Sequence, residues 1–419
     1  MKKLFLIILV LYLQFAISNI YSQGEWLVYT IFNSGLPNNG VNKVIFDSNN
    51  AAWIGTVDGL AKFDGINWTV YDTSNSPLPD ARIRDMVFEG NSLWIATQGK
   101  GLVKFDGTNW TIYDTLNSGL PNDICYFIFL ENNIKWVGTI RGLAKFNDTS
   151  WIVYNTINSG IPSNFLVCGI LENNIKWIGT QGNGISKFDN FNWTTYNFQN
   201  SGLPSDAIRG ITIDYLGNKW IATRFGGLAR FNSNLNSWTV YNTSNSGIPE
   251  NNLYSVFTQN HIKWVGTLGS GLAEFNDTTW TVFNPSNSPL PDISVVCLSA
   301  DRLGNLWIGT AGGLAEYNPN QIIGIKNENE NVPQSFRLYQ NYPNPFNPTT
   351  TIRYDIPRDG MVSVKIYDIL GREVYSINEF RATGHYEMKF DGTNYASGLY
   401  FYRLEAGSFI QTKKMVLVK

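Results

Sequence analysis

The chain has 419 residues, room for one large domain and a small one, and only 15% of them are charged against 14% aromatic. Formal net charge is −2, with lysine and arginine scattered singly among aspartate and glutamate, so phosphate-tracking of nucleic acid is not expected. Asparagine, glycine, threonine and serine crowd the intervals between short apolar runs, the texture of an all-β protein with many turns.

The first residues have the form of an export signal: Lys2 and Lys3, an apolar run from Leu4 to about Ile17, then a short polar stretch ending in Tyr21-Ser22-Gln23. The run falls short of the roughly 20 apolar residues that a membrane-spanning helix needs. Cleavage after Ser22 is expected, leaving no integral membrane segment.

From there the sequence repeats itself. The motif Trp-[Ile/Val]-[Gly/Ala]-Thr starts at Trp53, Trp94, Trp136, Trp177, Trp220, Trp264 and Trp307, a period of 41 to 44 residues. A second motif close to Trp-Thr-Val-Tyr starts at Trp26, Trp68, Trp110, Trp151, Trp193, Trp238 and Trp280, and the two series account for all 14 tryptophans. Each period holds four short strand-like runs: an apolar run after Leu-Pro or Ile-Pro, the Trp-Ile-Gly-Thr run, a Gly-Leu-Ala-Lys-Phe run and the Trp-Thr-Val-Tyr run. Four strands in about 40 to 45 residues is a propeller blade. Spacers such as Asp214-Tyr215-Leu216-Gly217-Asn218 and Glu131-Asn132-Asn133 carry the turn chemistry, with Gly or Asn available for positive φ.

Recurrence also shows what each position needs. The third residue of the Trp-Ile-Gly-Thr run is Gly or, at Ala96 and Ala222, Ala, so neighbouring blades are expected to approach closely there, with the indole two residues earlier packing between them. The series opens with a lone fourth-strand motif, Trp26-Leu27-Val28-Tyr29, and ends after Gly313-Leu314-Ala315-Glu316-Tyr317 without one. The N-terminal strand should therefore complete the last blade and close a seven-bladed ring over residues 23–320.

These repeats, with their Asp-x-x-Gly-Asn-x-Trp form at Asp214 and Asp301, resemble the two-component regulator propeller repeats over about residues 24–320. The resemblance implies a sensor-type propeller that recognises extracellular polysaccharide fragments. No kinase, receiver or transmembrane segment is seen to follow, so only recognition is carried over, not signalling.

Residues 321–335, with Asn327-Glu328-Asn329-Glu330-Asn331-Val332-Pro333, read as a polar linker. Short runs at 351–356, 362–367, 399–404 and 414–418 then predict a small immunoglobulin-like β-sandwich over 336–419. This segment is similar to the C-terminal sorting domains of the type IX secretion system. The matching residues are Tyr342-Pro343-Asn344-Pro345-Phe346, Gly371-Arg372-Glu373-Val374, Gly398-Leu399-Tyr400-Phe401-Tyr402-Arg403 and the terminal Lys413-Lys414-Met415-Val416-Leu417-Val418-Lys419. The resemblance implies that the tail is read by the outer-membrane translocon and removed, leaving the propeller secreted or attached to the cell surface. An immunoglobulin-like spacer is the alternative.

Catalytic chemistry has few candidates. Cys125, Cys168 and Cys297 each lie in an apolar run, without a His or Cys at ligand spacing, and read as small core residues. Of two histidines, His385 is in the tail and His261 occupies a turn where other repeats carry Asn133, Asn174 or Asn218. No metal or cofactor is expected. The Asp-x-x-Gly-Asn-x-Trp turns resemble the Asp-box of sialidases, which is itself structural there, so a glycoside hydrolase or a polysaccharide lyase using Tyr and Arg stands as the alternative to a non-catalytic binder.

Binding residues are sought where the repeats disagree. Counting from Leu-Pro, the seventh position reads Asn42, Arg84, Tyr126, Val167, Arg209, Tyr254 and Val296, and the loop after Trp-Ile-Gly-Thr carries Asp58, Gln98 with Lys100, Arg141, Gln181 with Asn183, Arg224 with Phe225, and Ser270. Arg84, Tyr126, Arg141, Arg209, Arg224 and Tyr254 are the expected ligand-binding set at one mouth of the central channel. Arginine forks suit carboxylates, and tyrosine offers a ring with a polar tip, so an acidic oligosaccharide would fit. A surface protein docked by the propeller is the other partner this pattern admits.

Overall fold

The computed structural model describes residues 25–318, 336–358, 360–381, 384–407 and 409–419. The expected export signal, residues 1–22, and the expected linker, residues 321–335, lie outside them. The chain divides into two compact units, residues 1–321 and 322–419.

The first unit is a ring of seven four-stranded antiparallel sheets. Blade 1 spans residues 41–71, blade 2 83–113, blade 3 125–154, blade 4 166–196, blade 5 208–241 and blade 6 253–283. Blade 7 takes its three inner strands from 295–318 and its outermost from Glu25–Tyr29, with Trp26 opposite Tyr317 and Val28 opposite Ala315. The first and last described segments of the repeat array thus meet in one sheet, as expected. Trp26 stacks on Tyr317 at 4.5 Å between ring centroids.

Blade 3 shows how the repeat makes a blade. Its strands are Cys125–Glu131, Ile134–Thr139, Gly142–Phe146 and Trp151–Tyr154, and Asn132 turns the first into the second at φ 56°. An asparagine there tolerates the left-handed region at little cost. The second strand is buried almost throughout, covered on both faces by the flanking blades. Its run, Ile-Lys-Trp-Val-Gly-Thr, therefore lacks the apolar–polar alternation of a half-buried strand.

The tryptophan of each second strand packs between blades, as the repeat predicts. Trp94 is fully buried, meets Phe146 of the next blade edge-on and donates its indole N–H to Glu89 at 2.9 Å. Lys135 of blade 3 lies 5.0 Å above that ring and pairs with the same Glu89 at 2.8 Å. Lys176 with Glu131 and Lys219 with Glu172 repeat the arrangement. Lys263 covers Trp220 but pairs with Asp277 instead. On the other three blades the same position is Ala52, Leu93 or Leu306, so one arc of the ring has buried cations at its junctions and the other has apolar contacts.

The Asp-x-x-Gly-Asn-x-Trp turn is structural here. Asp214 accepts from Leu216 N, Asn218 N, Asn218 Nδ2 and Trp220 Nε1 at 2.8–3.0 Å. The small residue of the Trp-Ile-Gly-Thr run is squeezed from two sides. A methyl added to Gly266 would stand 2.6 Å from the Val295 carbonyl oxygen of blade 7 and 2.3 Å from Ser255 Oγ of its own blade. Close approach between blades is therefore only half of the reason; the blade's own innermost strand supplies the rest.

Cys125 and Cys297 are buried, Cys168 is half-buried, and all three are free thiols. Burial pushes Cys168 and Cys297 up to about 12, so they stay protonated and serve as packing.

The second unit is a β-sandwich. Arg337–Leu338, Thr349–Ile356 and Gly384–Asp391 form one sheet, and Glu373–Arg381, Gly360–Tyr367, Gly398–Ala406 and Phe409–Leu417 the other. Ile352, Tyr354, Val364, Ile366, Tyr402 and Leu404 fill the space between them. The strands Glu373–Arg381 and Gly384–Asp391 were not among the expected runs. Charged and polar residues interrupt both, and neither has more than one side packed into the core.

Candidate binding site at the channel mouth

The seven innermost strands surround a central channel with a cavity of about 500 Å³, to which every blade contributes, from Val44 on blade 1 to Leu298 on blade 7. Each of these strands begins the same way. Val41, Ile83, Cys125, Leu166, Ile208, Leu253 and Val295 are fully buried. Each pairs with the threonine that ends the second strand, from Thr56 on blade 1 to Thr310 on blade 7. The register then slips before the third residue. The second residue is left out of the ladder in a β-bulge, a device that re-aims a side chain. Those seven second residues are the variable positions read from the sequence: Asn42, Arg84, Tyr126, Val167, Arg209, Tyr254 and Val296.

The bulged side chains reach toward the next blade. Asn42 Nδ2 donates to the Ile83 carbonyl at 2.8 Å. The Arg84 guanidinium lies 5.2 Å from the Tyr126 ring centroid, and that of Arg209 lies 5.6 Å from Tyr254. Tyr126 is steadied in turn by Phe165, edge-on at 5.3 Å. The loops after the second strands stand at the same end and supply two amides: Gln98 Oε1 accepts from Arg84 Nε, and Gln181 Oε1 accepts from Arg209 Nη1 at 3.5 Å. Burial lowers the pKa of Arg84, opposed by Tyr126 and Tyr254 and reinforced by the charges of Arg82 and Arg209. Arg84 remains a cation at any ordinary pH.

Four of the six sequence-predicted residues, Arg84, Tyr126, Arg209 and Tyr254, are thus brought together. Arg141 stands exposed on the turn of blade 3, with its backbone N–H on Thr139 Oγ1. Arg224 covers the exposed Phe225 ring at 4.8 Å, on a loop tied to Ser205 and Ala207. Among the described residues, neither shares a hydrogen bond, ion pair or ring contact with the other four.

One pair of channel residues was missed. Lys43 Nζ and Asp85 Oδ1 are 2.7 Å apart across blades 1 and 2, and Asp85 Oδ2 accepts from Ile128 N of blade 3 at 3.0 Å. Burial opposes the charge on Lys43, but the carboxylate beside it outweighs that and raises its pKa. The signal was available one position beyond the bulge, where the repeats read Lys43, Asp85, Phe127, Cys168, Gly210, Ser255 and Cys297. Among the described residues, no cluster of His, Cys, Asp or Glu could hold a metal ion. His261 is exposed in a turn, against Tyr215 at 4.7 Å.

In the sandwich unit, the residues that carry the sorting resemblance fasten the last strand. Phe346 is buried, donating to Val416 O and accepting from Val418 N, both at 2.9 Å. Asn344 Oδ1 accepts from Val416 N at 2.8 Å, and the Pro343 carbonyl accepts from Thr350 Oγ1 at 2.8 Å, with Pro345 between them and Phe346. Gly398 opens the strand that carries Tyr400, whose hydroxyl donates to Ala396 O at 2.8 Å, and Arg403, which covers Tyr367 at 5.1 Å. Lys413 is half-buried and Lys414 exposed on the closing strand.

Residues 289–312 match the two component regulator propeller family, and residues 340–419 match the secretion system C-terminal sorting domain. No curated protein matches the sequence. The fold is similar to the extracellular domain of a B. thetaiotaomicron protein described as a hybrid two component system, at TM-score 0.62 and 18% identity, covering 94% of this chain and 57% of that one. It is also similar to PorZ, a surface component of the type-IX secretion system of Porphyromonas gingivalis, at TM-score 0.57 and 17% identity, covering 94% and 61%. The chain therefore spans about three-fifths of the length of these two. A streptogramin B lyase matches at TM-score 0.57 and 16% identity, over 71% of this chain and 98% of its own. The chain is an exported propeller protein whose sorting domain addresses it, through the secretion system, to the cell surface or beyond. No helix among the described residues is long and apolar enough to cross a membrane.

Proposed function

We propose that the propeller is a non-catalytic binding module that recognises an extracellular glycan or a surface protein at the bulged mouth of its channel. The observation that carries this reading is the convergence of Arg84, Tyr126, Arg209 and Tyr254. Each stands at a position the sheet ladder does not use, and each belongs to a blade that differs there from its neighbours. Residues that a fold needs recur from blade to blade; residues selected for a ligand need not. The fold by itself decides nothing, because one architecture hosts many activities.

The second reading is a carbohydrate-active enzyme, a polysaccharide lyase or glycoside hydrolase. It draws on the same tyrosine–arginine pairs and on a fold similar to that of a streptogramin B lyase. A glycan array probed with the full chain, followed by chromatography of each retained glycan after incubation, separates the two. Retention without shortened products supports the binder, and new products overturn it. Retention of no glycan directs the search to surface proteins.

A further inference from the structure

We infer that Arg84 and Arg209 together hold the acidic group of an anionic oligosaccharide across the channel mouth, a reading that rests on the mouth being the recognition face. The two arginines occupy the same bulged position on blades 2 and 5, on opposite walls of the ring. Each lies over a tyrosine ring of the following blade, at 5.2 and 5.6 Å from its centroid, a cation–π contact that holds the guanidinium in place. Each gives an N–H to a glutamine carbonyl, a neutral acceptor that orients the fork without cancelling its charge. Among the described residues, no carboxylate stands within ion-pairing distance of either arginine.

Both arginines are half-buried cations within electrostatic reach of each other, and the fold gains nothing from their repulsion. Burial lowers the Arg84 pKa most, with the charge of Arg82 and then that of Arg209 adding to it. An anion between Arg84 and Arg209 relieves their repulsion, and two planar forks can grip a carboxylate from either side. The channel-lining carboxylate Asp85 is paired with Lys43, which offsets its repulsion of such a group. The surroundings favour a sugar over a peptide. Asn42, Gln98, Gln181 and the Tyr126 and Tyr254 hydroxyls form a polar rim suited to hydroxyl groups, and Val167 and Val296 are the two apolar members of the bulge series.

The test uses the full chain and a panel of uronic acid oligosaccharides, each paired with its methyl ester, with binding read by calorimetry. At least one acid form is expected to bind, and its ester to bind roughly tenfold or more weakly. R84Q and R209Q are expected to lose that preference while keeping the wild-type melting temperature. Should either glutamine variant unfold, R84K and R209K, which keep the charge and lose the fork, are expected to reduce it. Equal binding of acid and ester overturns the acidic class and leaves the mouth as a neutral-glycan site. Preference for an acidic peptide over every glycan overturns the sugar. An acid preference that survives in R84Q/R209Q removes these arginines from the contact.

Discussion

Lys176 of blade 4 is fully buried, pairs with Glu131 of blade 3 and lies 5.0 Å above the Trp136 ring of that blade. Its other donors go to Asn174 O at 3.1 Å and Asn190 Oδ1 at 2.7 Å, and Glu131 also accepts the Trp136 indole N–H at 2.9 Å. Removing one partner strands the other charge. Glu131→Ala should cost about 3–5 kcal/mol, whereas K176M/E131Q, which keeps an acceptor for the indole, should stay within about 1 kcal/mol of wild type. Urea unfolding followed by tryptophan fluorescence checks this, and because all 14 tryptophans lie in the repeats it reports on the ring alone.

The clasp in blade 7 makes a second prediction. Deleting residues 25–30 removes the strand paired with 314–318 and exposes Tyr317, so the fluorescence melting midpoint should fall by about 10 °C or more. An unchanged midpoint would show that the ring closes without this strand.

At Gly266, an added methyl meets a backbone carbonyl of the next blade, which cannot rotate aside. Gly266→Ala should destabilise by about 1–3 kcal/mol through overpacking. Ala222→Gly at the equivalent place on blade 5 should cost no more than about 1 kcal/mol. Similar costs for the two would mean that blade approach does not set the residue size.

Asp214 yields a pH prediction. Burial alone would raise its pKa, but the hydrogen bonds from Trp220, Asn218 and Leu216 outweigh it and hold the pKa below the ordinary carboxylate value. The stabilisation from a depressed carboxylate is present above roughly pH 4 and disappears as pH falls through the folded-state value. Asp214→Asn should therefore lower stability by about 1–3 kcal/mol at neutral pH, with the gap from wild type closing under acid conditions. A gap that persists unchanged at low pH would assign the effect to shape and not to charge.

The ring was legible in the sequence because the same physical demand recurs in every period. A buried indole needs a small residue two places on, an acceptor five or six places back and a turn between, and Trp136, Gly138 and Glu131 state this as openly as Trp177, Gly179 and Glu172. The mouth was only half legible. Spacing gives a residue its place in its own blade but not its reach across the channel, so Arg141 looked equivalent to Arg209. The Lys43–Asp85 pair escaped because each partner is unremarkable alone and their contact crosses two blades. In the tail, Glu373–Arg381 escaped because half-exposed strands need no apolar run.

The bulges have a consequence for change over time. The ladder takes the first and third residues of each innermost strand and asks nothing of the second, so that site can be rewritten without disturbing the ring. Seven such sites face one opening, and the clasp at blade 7 breaks the ring's symmetry and fixes where the reading starts. They amount to a seven-letter word spelled Asn, Arg, Tyr, Val, Arg, Tyr, Val, carried on a frame indifferent to its spelling. A sister chain altered only in those letters would keep the frame and hold something else.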